Sequence, residues 1–128
     1  MGAYLVDSDV LMDALGRRRQ RLELLNSLAL RADTLGWCAV NVSEVYSGLL
    51  PEEENRGRRL LNSLEFHAVT LAIARQAGFL RWDWARKGVS LSVADVTIAA
   101  VAMSYRLTLI TGNTKDFPMP ELSLYRWD

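Results

Sequence analysis

The sequence holds a single cysteine, Cys38, and a single histidine, His67. One thiol excludes an internal disulfide framework and a thiolate zinc site. One imidazole excludes an HExxH zinc centre and any site assembled from several histidines. Net charge is missing as well, since 15 Lys plus Arg offset 15 Asp plus Glu. Nucleic acid could therefore be held by a local basic patch but not by overall charge. No uncharged apolar run approaches the ~18–20 residues that span a bilayer. Acid enters at Asp7, before the apolar core of a signal peptide could form. The expectation is a cytoplasmic protein, with no membrane segment, whose chemistry rests on carboxylates, hydroxyls and arginines.

What is present suits one compact domain over residues 1–128, half apolar and 23% charged. Short apolar runs at 3–6, 37–42, 65–70, 107–111 and 122–127 read as strands. Between them lie helical patterns. Val10, Leu11, Ala14 and Leu15 make the first apolar face, and Leu22, Leu25, Leu28, Ala29 and Ala32 the second, with Gly36 as its stop. Helices are also expected at 43–49, from Pro51 to Leu64, at 71–87 before Gly88, and at 92–105. The last of these is Ala-rich and nearly uncharged after Asp95, as befits a central helix. Strands and helices alternate without repeat or linker. That order predicts a three-layer α/β/α domain around a mostly parallel sheet of about five strands.

Ligands of such sheets bind beyond the carboxyl ends of the strands. Asp7 follows the first strand directly, Glu44 lies two residues past the second, and Asn113 and Asp116 follow the fourth. Asp95 opens the helix that leads into that fourth strand. Each acid has a plain alternative: Asp9 as an N-cap, Ser92 with Asp95 as a capping box, and Asn41 with Glu44 as another. Together they are harder to explain by capping. Like charges crowded to ~4 Å cost roughly 1–4 kcal/mol each, depending on the local dielectric. A divalent cation resolves that repulsion, and an all-oxygen ligand set selects Mg²⁺ or Mn²⁺ over zinc.

Four segments carry a family resemblance: Tyr4-Leu-Val-Asp-Ser-Asp-Val-Leu-Met12, Val42-Ser-Glu-Val-Tyr-Ser-Gly-Leu49, Ala94-Asp-Val-Thr-Ile-Ala-Ala100 and Leu109-Ile-Thr-Gly-Asn-Thr-Lys-Asp-Phe117. In order and spacing the chain resembles the PIN-domain ribonucleases, and among them the VapC toxins of toxin–antitoxin modules. The resemblance implies a PIN-like fold and metal-dependent endoribonuclease activity, blocked by a VapB-like antitoxin. It places the catalytic acids at Asp7, Glu44, Asp95 and Asp116, and metal ligands at Asp7, Asp95, Glu44 and Asn113. Ser8, Asp9 and Thr111 support the site. Asn113 stands where relatives often carry Asp, which keeps an oxygen ligand and loses a charge.

RNA contact is expected from Arg17, Arg18 and Arg19, joined by Arg21 and then by Arg56, Arg58 and Arg59. Guanidinium groups suit bidentate phosphate contact and stacking on bases, although a solvated helix face explains the same run. His67 lies away from the motifs and reads as structural. Trp82 and Trp84 cannot share a helix face, and with their helix they predict a homodimer. A non-catalytic PIN-like module that only binds RNA or a partner is the main alternative. A response-regulator-type domain lacks the phosphoacceptor Asp it would need on a middle strand.

Overall fold

A computed structural model describes residues 2–16, 19–31 and 33–127. The chain runs β1 (Ala3–Val6), α1 (Ser8–Leu15), α2 (Arg19–Leu30), β2 (Thr34–Cys38), α3 (Ala39–Gly48), α4 (Pro51–Ser63), β3 (Glu65–His67), α5 (Leu71–Arg86), α6 (Val93–Ser104) and β4 (Thr108–Ile110), with a 3₁₀ turn at Thr114–Asp116. The strands form one sheet in the order β3-β2-β1-β4, and every pairing is parallel. Among the described residues, no helix is long and apolar enough to cross a membrane.

Side chains that alternate along the strands feed two cores, as strands buried on both faces require. Leu5, Cys38 and Leu109 join Ile73 and Ala77 of α5 and the apolar run of α6 from Val96 to Ala102. Val6, Leu35, Trp37 and Ile110 point to the other face, where Val10, Leu11, Leu25, Leu28 and Leu61 from α1, α2 and α4 meet them. The expected three layers are thus present, and β1 lies inside the sheet with its carboxyl end between β2 and β4.

Local departures from the sequence reading have local causes. Gly36 does not stop α2 but lies inside β2, where a Cβ would come within 2.6 Å of the His67 Nε2. β2 ends at Cys38 and not at Val42, because the Asn41 side-chain oxygen takes the Cys38 N–H at 2.9 Å and turns the chain into α3. β3 stops at His67, since Thr70 is already the N-cap of α5, its hydroxyl accepting the Ile73 N–H at 3.2 Å. Among the described residues the sheet has four strands, not five. The segment after Leu122 makes one bridge, Leu109 with Leu124, and then leaves the ladder. Ala29 is exposed where burial was expected, and Ala32 lies outside the described residues. Gly88, with φ of 85°, ends α5 in a left-handed conformation that a side chain would strain.

Candidate active site

Register builds the centre of the site. Val6 pairs with Ile110, and the Asp7 N–H continues the ladder to the Ile110 carbonyl at 2.9 Å. Asp7 and Thr111 therefore emerge side by side beyond the sheet. Asp7 is extended, with φ −69° and ψ 155°, and caps α1 by accepting the Ser8 N–H at 2.8 Å. Its other oxygen accepts the Thr111 hydroxyl at 2.7 Å. The carboxyl is buried, and that burial pushes it up to about 7. The Thr111 and Ser8 hydrogen bonds oppose the shift, whereas the charges of Asp9 and Asp95 add to it.

A second branch reaches Asp7's neighbour from α3. Asn41 and Glu44 are one turn apart, so they share a helix face. The Ser8 hydroxyl donates to Glu44 Oε1 at 2.7 Å and accepts from Asn41 Nδ2 at 3.1 Å. Asn41 is fully buried and links the strand end, the hydroxyl and the acid. The sequence reading took Asn41 only as a cap. Its signal was a lone amide in the apolar run from Trp37 to Val42.

Asp95 comes from a third direction, in the first turn of α6, where its N–H is capped by the Ser92 hydroxyl at 3.0 Å. Its carboxyl is half-buried and held above the usual range, by burial first and then by the charges of Asp116, Glu44 and Asp9, against the Ser92 hydrogen bond. Asp9 is not the N-cap; that role falls to Asp7. Instead, Asp9 Oδ2 ties α1 to the turn after β4, accepting the Gly112 N–H at 2.9 Å and Asn113 Nδ2 at 3.3 Å. The Asn113 N–H is in turn held by the Thr111 hydroxyl oxygen at 3.0 Å. Of the two residues offered for a fourth position, Asn113 faces Asp9 and Asp116 lies within the field of Asp95.

Five carboxylates (Asp7, Asp9, Glu44, Asp95 and Asp116) thus share one edge of the sheet and one electrostatic field. Among the described residues, no Lys or Arg forms an ion pair with any of them, whereas Arg21 pairs with Asp13 and Arg31 with Asp33. Asp9 Oδ1 is buried without a hydrogen-bond partner. Hard oxygen donors, unbalanced charge and an orphaned carboxylate oxygen fit a hard divalent cation. The described acids do not close on one point, for no three of them stand near enough to grip a single ion. Such an open rim suits Mg²⁺, which retains much of its water.

Other residues fall elsewhere. Arg17 and Arg18 lie outside the described residues, and Arg19 is described only as the start of the α2 backbone. His67 packs against the Tyr105 ring, with centroids 4.9 Å apart, at the sheet edge formed by β3. A separate apolar cleft of about 480 Å³ lies between α1, α2 and α4, lined in part by Leu15, Leu22 and Leu60, and holds none of the five acids.

The profile of the PIN domain matches residues 4–119. The chain belongs to the PIN-domain family. This PIN domain is 34% identical over 117 residues to ribonuclease VapC10 of Mycobacterium tuberculosis, covering 91% of this chain and 87% of that protein. Its backbone superposes with a TM-score of 0.82 on a chain of VapBC2 from Rickettsia felis bound to a fragment of promoter DNA, at 25% identity over 98% of this chain and 99% of that one. A toxin–antitoxin complex from Klebsiella pneumoniae gives 0.72 at 29% identity, covering 93% and 94%. The four motifs read from the sequence all lie within the matched PIN domain.

Proposed function

We propose that this PIN domain is the ribonuclease toxin of a toxin–antitoxin module, hydrolysing RNA phosphodiester bonds with the help of Mg²⁺ or Mn²⁺. The supporting observation is the convergence of Asp7, Glu44 and Asp95 from β1, α3 and α6 on one acidic edge where, among the described residues, none of them has an ion-pair partner. Asp7 and Asp95 would be the principal metal ligands, with Glu44 and either Asn113 or Asp116 reaching the ion through the water it retains. A bound divalent cation supplies positive charge that offsets the carboxylates and the charge a phosphodiester gains under attack.

The chain's own residues do the rest. Thr111 and the Ser8 N–H hold both oxygens of Asp7, which fixes its carboxylate plane. Ser8, oriented by Asn41, holds Oε1 of Glu44 and leaves the second oxygen to take the proton of an attacking water. Water oxygen then bonds to phosphorus as the bond to the leaving ribose oxygen breaks, and that oxygen takes a proton from solvent. The N-termini of α1 and α6 both open at this edge, and their partial positive ends favour anions there. A VapB-type antitoxin is the cognate protein partner, in keeping with the toxin–antitoxin complexes that share this fold.

The test is RNA cleavage by purified protein, with cut ends mapped by sequencing. Cleavage with Mg²⁺ or Mn²⁺, lost in EDTA and in Asp7→Asn, is the expected result. Binding of RNA without any metal-dependent cutting would overturn the enzymatic reading in favour of a binding module.

A further inference from the structure

Beside the acids, the turn after β4 meets α2 and the C-terminal segment. The Trp127 indole N–H donates to the Thr111 carbonyl at 2.8 Å, and the Thr111 hydroxyl holds Asp7. Over the indole ring lies the Arg21 guanidinium, its carbon 4.1 Å from the centroid. Tyr125 packs edge-on against the same indole at 5.3 Å and 82°. Arg21 Nε faces Asp13 at 3.7 Å. These residues border an open depression of about 690 Å³, lined by Gln20, Arg21, Gly112 and Trp127. Gly112 lets Asp9 and Arg21 close in on the turn, since a Cβ there would come within 2.7 Å of Asp9 Oδ2 and 3.3 Å of Arg21 Nη2. Trp127 remains 39% exposed although its indole N–H is fixed.

We propose that Arg21 and Trp127 form a stacking platform for one unpaired RNA base adjacent to the scissile phosphate. The proposal rests on the ribonuclease reading and adds a recognition subsite to it. An acidic edge repels the RNA backbone, so affinity must come from the rim. A tryptophan pinned by its N–H and a guanidinium already laid over it offer π and cationic surface at little further ordering cost. Bases splayed from single strands stack on such aromatic and arginine planes. Trp127 is two hydrogen bonds from Asp7 by way of Thr111, which places the stacked base next to the reacting phosphate.

The experiment measures kcat and KM on an RNA oligonucleotide whose cut site has been mapped, using Trp127→Ala, Trp127→Phe and Arg21→Lys. Stacking of one base predicts a rise of about 10- to 100-fold in KM for Trp127→Ala, with kcat kept within about threefold. Trp127→Phe should restore most of the affinity, and Arg21→Lys should weaken it because charge remains and the plane is lost. An abasic nucleotide beside the cut should cost the wild type as much as Trp127→Ala costs intact RNA, with no further loss when both are combined. A fall in kcat at unchanged KM would assign Trp127 to holding Thr111 alone and overturn the platform. Additive penalties from the abasic site and Trp127→Ala would overturn it too. So would loss of antitoxin affinity with RNA affinity intact, which would give the surface to the protein partner. If the wild type cuts no RNA, the ribonuclease reading fails, and the platform is read separately. Titrating Asp7→Asn protein with single-stranded RNA should then quench fluorescence that is missing in the Asp7→Asn, Trp127→Phe double variant; no difference between the two would reject the subsite.

Discussion

Asp7→Asn should make the metal-free protein more stable at pH 8 while abolishing cleavage. Burial is the main reason the Asp7 carboxyl is raised from 3.8 to about 7. A carboxyl raised on folding binds its proton more tightly in the folded state. The associated stability is therefore fully present below the unfolded value near 3.8 and is lost as pH rises through about 7. At about 1.4 kcal/mol per unit, holding Asp7 ionised above that range costs the fold up to roughly 4 kcal/mol. Asparagine keeps the shape and removes the charge. Its amide can still accept the Ser8 N–H but cannot accept the Thr111 hydroxyl as well, a loss of about 1 kcal/mol.

The net gain at pH 8 is then about 3 kcal/mol, and at pH 4.5 it shrinks to nothing or becomes a small loss. Urea unfolding in EDTA at both pH values, at one fixed protein concentration, measures it directly. In the same assay Mg²⁺ should narrow the difference by stabilising the wild type alone. RNA cleavage should fall at least about 100-fold, the range expected when a positioned charged group is removed. A variant less stable than the wild type at both pH values would refute the claim that Asp7 is held ionised at a cost. The conflict between stability and activity would then have to lie elsewhere in the site.

Asn41→Ala should lower the unfolding free energy by roughly 1–3 kcal/mol, because it strands the Cys38 N–H and frees Ser8. Thermal unfolding reads this, and an unchanged Tm would show that the amide only fills space. Asn113→Asp should tighten Mn²⁺ binding in a metal titration by adding a carboxylate beside Asp9, while Asp116→Asn should weaken both binding and cleavage if its charge acts with Asp95. Full activity in Asp116→Asn would move the fourth position to Asn113. On α5, Leu71, Phe79 and Trp82 are 75%, 62% and 59% exposed, an apolar surface suited to a second copy of the chain. Sedimentation at micromolar concentration should give a dimer that Trp82→Glu dissociates, and a monomeric wild type would reject this interface.

How far the sequence could be read follows from the range of each signal. The short apolar run that buries Leu5 and Val6, and the apolar face of Val10, Leu11, Ala14 and Leu15, are local patterns, and both appear as expected. Asp7 was legible because it directly follows an apolar strand, which fixes its place at the sheet edge before any partner is known. Element ends were less legible, since they depend on contacts across the fold. β2 closes where a side chain three residues ahead takes a backbone N–H, and Gly36 is a strand residue because a histidine from β3 packs over it. The fifth strand failed for a related reason. Its apolar residues are present, but β4 is three residues long and leaves little edge to pair with. At Trp127 the side chain, and not the backbone, makes the bond to Thr111. A short apolar run describes side chains and carries no information on which backbone will receive it. For that reason the C-terminal segment read as another strand, although its contacts lead to the turn that carries Thr111 and Gly112 beside the acids.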